Sequence, residues 1–143
     1  MAHNISVVVG DAAAIASAAR QLGCSWVPLP PAIALIPFDR LATGDPSIAP
    51  FVTFTPSVLG HLRDALPRFG YVETEYFGGT GTQRAGAWDR ERVLVAPREA
   101  PGSVVNEVLR ALGVTAGDAH DEWDAIGLVR FRGMDDLRAA GQR

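Results

Sequence analysis

Tyr71-Val72-Glu73-Thr74-Glu75-Tyr76-Phe77-Gly78-Gly79-Thr80-Gly81-Thr82-Gln83-Arg84-Ala85 is the stretch whose reading decides the fold. Its first seven residues alternate. Val72, Thr74 and Tyr76 fall on one side of an extended chain, and Tyr71, Glu73, Glu75 and Phe77 on the other, the period of two that marks a β-strand. The glycines demand a reversal, and a two-residue loop at Gly79-Thr80 suits a type II′ turn, which wants glycine first. That loop sets Phe77 against Thr82, Tyr76 against Gln83, Glu75 against Arg84 and Thr74 against Ala85, so an acid faces a base. Residues 92–96 return as a third strand and complete an antiparallel meander. In this register Gly86 opposes Glu73 and leaves room for a core side chain or a ligand to approach the backbone.

Working outward, residues 5–9 form a β-branched run, Asp11 is a helix cap, and the alanine-rich residues 12–22 end at Gly23, a natural C′ glycine. Residues 32–36 read as a strand inside a proline-punctuated segment, and 39–50 as loop. Thr55-Pro56 starts a helix whose Val58, Leu59, Leu62 and Leu66 recur at helical spacing. A second helix begins at Ser103, with Val104, Val105, Val108, Leu109 and Leu112 on one side and Gly113 stopping it. Burial is expected of Val58, Leu62, Leu66, Val105, Val108, Leu109 and Leu112, with both helices on the same sheet face. Residues 119–125 predict a short acidic helix and 126–131 a last strand. The expected fold is a single α+β domain over 1–143, an antiparallel meander with helices packed mainly on one face.

All 13 basic residues are arginine, so neither a lysine Schiff base nor a P-loop lysine is available. A net charge of −3 argues against nucleic acid, because phosphate affinity needs clustered positive charge. Arg84, Arg90, Arg92 and Arg98 do gather, but Asp89, Glu91 and Glu99 are interleaved with them. Prolines 28, 30, 31 and 37 break the uncharged run at 21–38, so no membrane span is expected. With one cysteine and no secretory pattern at the amino terminus, the expected compartment is the cytoplasm.

The segment Glu75-Tyr76-Phe77-Gly78-Gly79-Thr80-Gly81-Thr82-Gln83, with Ala87-Trp88 after it, resembles a group of small uncharacterised actinobacterial proteins sharing E-Y-F-G-G-x-G-x-Q. Gly113-Val114, Gly117-Asp118 and Glu122-Trp123-Asp124-Ala125-Ile126-Gly127-Leu128 are similar too, so the likeness covers about residues 70–130. The resemblance implies a shared fold and a shared site around the glycine turn, and no reaction.

Glu73 and Glu75 lie two apart on one strand face, about 6.5–7 Å between Cα atoms. At an effective dielectric near 20 their charges repel by roughly 2.4 kcal/mol unless a cation such as Arg84 compensates. Two readings stand: a solvated or ion-paired face, or an acidic binding site with Arg84 beside it. Parallel projection from one strand does not suit a glycosidase pair, whose carboxylates flank a bond from two sides. Gly78 to Gly81 lacks the lysine of a P-loop, and the arginine at 84 breaks a GxGxxG frame, which leaves a hairpin turn.

Asp118, His120, Asp121, Glu122 and Asp124 cluster, yet Trp123 occupies the glycine position of an EF-hand loop and Val129 that of its final glutamate. The acids suit a first helical turn instead. Neither cysteine nor histidine occurs at structural-metal spacing, so no metal and no cofactor is expected. Cys24, past a helix C-terminus, reads as a small apolar residue, and no nucleophilic triad is visible.

The first functional expectation is a non-enzymatic protein-interaction domain, inhibitor or immunity-like, with Tyr71, Tyr76, Phe77 and Trp88 as aromatic anchors for a protein partner. The second is a small-molecule-binding protein or enzyme using Glu73, Glu75 and Arg84, with the gap at Gly86. In either case Glu73→Gln is expected to weaken binding and to leave stability nearly unchanged, as for an exposed ion pair.

Overall fold

A computed structural model describes residues 3–29, 32–38, 46–77 and 80–142. Six strands form one sheet in the order β2-β3-β1-β4-β5-β6, with every pairing antiparallel. They are β1 (Ser6–Asp11), β2 (Val27–Leu29), β3 (Ile33–Pro37), β4 (Arg68–Phe77), β5 (Thr80–Asp89) and β6 (Val93–Ala100). The helices are α1 (Ala12–Leu22), α2 (Pro56–Ala65), α3 (Val104–Ala111), α4 (Glu122–Ala125) and α5 (Met134–Ala140), with a 3-10 turn at Leu128–Arg130. The class is α+β, as the sequence implies.

Helices lie on both faces rather than mainly on one, which corrects the expected layering. Alternation along β1 and β4 explains it. Val8, Phe69 and Tyr71 join α1, α2 and the 51–54 loop in one apolar cluster, while Val7, Val9 and Val72 join α3, Ile126, Leu128 and Leu137 in the other. A strand apolar on both sides can be buried only between two layers. The two helices expected to share a face therefore sit on opposite ones. All seven of their predicted core residues are nevertheless buried.

Local chemistry sets the ends. Asp11 accepts from the Ala14 N–H and Gly23 closes α1 in the left-handed conformation. Thr55 accepts from the Val58 N–H ahead of Pro56 in the first turn of α2. The expected strand at 126–131 is absent: Gly127 turns left-handed and a 3-10 turn follows. In a strand Arg130 would share the inward face with Ile126 and Leu128, whereas the turn exposes Arg130 and buries Phe131. The predicted acidic helix shortens to α4, capped by Asp121. The predicted loop at 39–45 lies outside the described residues.

The sheet also joins distant parts of the chain. The ring of His3 is within hydrogen-bond distance of the Thr74 hydroxyl (2.8 Å) and the Leu128 carbonyl (3.3 Å), and packs on Trp123. Glu122 is buried and accepts from Arg110 of α3. Among the described residues no helix is long and apolar enough to cross a membrane.

Candidate functional site

The hairpin ladder is two residues tighter than the sequence suggests. Phe77 pairs with Thr80, Tyr76 with Gly81, Glu75 with Thr82, Thr74 with Gln83, Glu73 with Arg84 and Tyr71 with Gly86. Residues 78–79 of the expected turn lie outside the described residues. Gly81 explains the choice: a Cβ there would stand 1.9 Å from the Glu75 carbonyl oxygen, so only glycine fits opposite Tyr76. A shift of two preserves which face each side chain occupies but changes its partner. Arg84 thus stands opposite Glu73, not Glu75, and the gap expected opposite Glu73 is not there.

Arg84 is the hub of the face. Its Nη2 donates to Glu75 Oε2 at 2.6 Å, its Nε to Glu99 Oε2 at 2.8 Å, and its Nη1 lies 3.6 Å from Glu73 Oε1. The arginine side chain is only 11% exposed, whereas Glu75 and Glu99 are 46% and 49% exposed. Burial alone would lower the arginine's pKa, but the bonds to Glu75 and Glu99 and the neighbouring Glu73 charge raise it, so the cation is permanent.

Glu73 is not a solvated acid. It is buried and accepts four hydrogen bonds: Val52 N–H to Oε1 (2.9 Å), and Thr53 N–H (3.1 Å), Thr53 hydroxyl (3.0 Å) and Tyr71 hydroxyl (2.8 Å) to Oε2. The carboxylate ties the 51–54 loop to β4. Tyr71 itself is fully buried, stacked on Phe54 at 4.1 Å, and burial together with the Glu73 charge raises its pKa far above the ordinary phenol value.

The other predicted site residues separate. Trp88 is buried against Phe54 and Phe69, and its ring occupies the space Gly86 leaves: a Cβ on Gly86 would approach Trp88 Cη2 to 2.9 Å. Gly86 thus serves the core. Tyr76 is half-buried on the opposite face from Glu73 and Glu75, where its hydroxyl donates to the Pro101 carbonyl at 2.5 Å. Of the four proposed aromatic anchors, Tyr71 and Trp88 are core, and Phe77 stands 64% exposed.

What remains together is the hairpin end of β4, β5 and β6 on the α2 side: Phe77, Glu75, Arg84 and Glu99, with exposed Val52 on the adjoining loop. The aromatic cluster stops at Tyr71, so this part of the sheet carries charged and apolar side chains outward. Glu99 and Val52 are the members sequence reasoning missed. Glu99 was legible only as an interleaved acid, since pairing Arg84 with Glu99 needs the β5–β6 register; loop residue Val52 carries no periodic signal. Grooves of about 690, 630 and 510 Å³ are lined by other residues. Among the described residues no three His, Cys, Asp or Glu side chains gather closely enough to hold a metal ion.

No protein-family model, curated protein or solved structure matches the chain.

Proposed function

We propose that this chain is a non-enzymatic protein-interaction domain, an inhibitor or immunity-like partner, which docks a basic surface of another bacterial protein on the bare hairpin end of its sheet. The observation that carries the reading is the Arg84 hub: one guanidinium holds three carboxylates and leaves the outer two, Glu75 and Glu99, half-exposed beside Phe77. One positive and three negative charges give the patch a formal −2. Fixed acids attract a cationic partner and set its orientation, while an exposed aromatic supplies apolar contact at the centre. Because Arg84 already orders Glu75 and Glu99, less side-chain entropy is lost when a partner arrives.

A small-molecule or catalytic role for Glu73, Glu75 and Arg84 has less support. Glu73 is saturated by protein donors, Arg84 is paired on three sides, and no groove described above opens onto them.

The test is affinity capture from the native host with wild-type protein, Phe77→Asp and Glu99→Lys, after each variant's folding is checked by thermal melting. A basic protein retained by the wild type, released by raised salt and lost with both variants supports the reading. Equal retention by all three, or none above background with the wild type, contradicts it.

A further inference from the structure

A groove of about 690 Å³ lies at the end of the sheet where β1 runs into α1 and β4 begins, bordered by the 112–119 segment that follows α3. Its volume falls in the range of small-ligand sites. Buried Ile33 and Val114, with Pro67 and Ala125, give it an apolar lining. Two charged side chains line it as well, Asp11 and Arg68, both exposed. They follow Gly10 and Phe69, the last pair of the β1–β4 ladder, so alternation sets both on the α3 side of the sheet. These neighbours of opposite charge do not pair. Asp11 turns to α1, where its Oδ2 accepts from the Ala14 N–H at 3.0 Å, and Arg68 turns to α3, where its Nη2 donates to the Leu112 carbonyl at 3.3 Å. Neither forms an ion pair with any described residue. Asp89, opposite Arg68 on β5, is taken by Arg92 and by the N–H groups of Glu91 and Arg92.

We infer that this groove binds a small zwitterion with an apolar body, a free amino acid or a dipeptide, with its ammonium at Asp11, its carboxylate at Arg68 and its side chain against Ile33, Val114 and Pro67. The two unpaired charges select the class. A ligand with a single charge is attracted by one of them and repelled by the other, whereas a zwitterion laid in this direction is attracted by both. Arg68 is a permanent cation, and the Leu112 carbonyl engages only one of its several N–H groups, so the guanidinium has donors left for a carboxylate. Asp11 has its second oxygen for an ammonium while Oδ2 holds the cap of α1. The apolar lining then takes the ligand's side chain. Arg68 and Phe77 are the two ends of β4, so this site is separate from the proposed docking surface.

The experiment titrates the intact protein by calorimetry with leucine and with leucyl-leucine, and with the N-acetylated, C-amidated and doubly blocked forms of each. The expected result is one saturable site at which each block weakens binding by about two- to fivefold. Whichever zwitterion binds more tightly identifies the source, and glycine, which lacks the apolar body, should bind roughly tenfold or more weakly than leucine. Two variants fix the direction of the ligand. Asp11→Asn, which keeps a good helix cap, should weaken the zwitterion by about two- to fivefold without weakening the N-acetylated form. Arg68→Gln should do the same without weakening the C-amidated form. Thermal melting first shows that each variant folds, and the blocked ligands decide the matter on the wild type alone if one does not. Absence of saturable binding by either zwitterion overturns the inference, as does equally tight binding of the doubly blocked forms. Zwitterion binding that both variants leave unchanged also overturns it, since the ligand then sits elsewhere.

Discussion

Replacing Glu73 by glutamine discriminates between a solvated strand face and a structural carboxylate. The two oxygens accept from Val52 N–H on one side and from Thr53 N–H, Thr53 hydroxyl and Tyr71 hydroxyl on the other. A glutamine keeps one acceptor. If its oxygen replaces Oε2, its NH₂ faces the Val52 N–H and Arg84; if it replaces Oε1, the NH₂ faces the Thr53 N–H and two hydroxyls that must turn. Either way at least one partly buried backbone donor facing the carboxylate is left unpaired, at about 1–3 kcal/mol, and the charge-assisted bonds that remain weaken towards the neutral value. The expected loss is about 2–4 kcal/mol, or roughly 6–14 °C in Tm for a domain of this size. Glu75→Gln, whose side chain is 46% exposed, should cost no more than about 1 kcal/mol. Urea unfolding with an unchanged m-value provides the comparison. If Glu73→Gln is as mild as Glu75→Gln, the carboxylate is not what fastens the 51–54 loop, and the exposed-ion-pair expectation stands after all.

Other outcomes follow from single residues. Gly81→Ala should destabilise by roughly 2–4 kcal/mol in chemical denaturation, because the new Cβ meets the Glu75 carbonyl and must pry the hairpin apart. His3 should make the fold sensitive to mild acid. Its burial, helped by the charge of Arg132 and opposed by the Leu128 bond, lowers its pKa below the unfolded value near 6.5. The unfolded chain therefore takes up the proton first, and stability falls as pH drops through about 6.5, by up to about 1.4 kcal/mol per pH unit, until the folded pKa is reached. Relative to wild type, His3→Gln should remove that part of the slope, and parallel pH profiles for the two proteins would contradict it.

Much of the architecture was legible because it is local. Asp11, Gly23, Thr55 and Pro56 mark helix ends through their own backbone chemistry, and the spacing of Val105, Val108, Leu109 and Leu112 marks a buried face. The distribution of helices was not, since alternation in β4 places Tyr71 and Val72 on opposite faces without saying that both will be covered. The register failed by two residues because several loop positions satisfy the glycine preference of a turn. What decides between them is the clash a side chain at 81 would make across the ladder, a contact no one-strand pattern contains. The candidate site suffered from the same gap. Glu73 and Glu75 look equivalent in sequence, yet a loop twenty residues earlier in the chain buries the first and leaves the second open. Trp88 filling the space at Gly86, and Glu99 reaching Arg84 from β6, likewise depend on pairings across strands.

The proposal that the bare end of the sheet is a docking surface is tested most directly by placing a photo-crosslinking phenylalanine analogue at Phe77 and, as a control, at Val129. Both positions are well exposed, at 64% and 49%, but Val129 belongs to the 3-10 turn on the far side of the sheet. Irradiation in the native host, followed by mass spectrometry of the adducts, should yield a protein with a basic surface from position 77 and not from 129, with the yield lost when Glu75 and Glu99 are both changed to lysine. Equal adducts from both positions, or a position-77 adduct indifferent to the two lysines, would contradict the account.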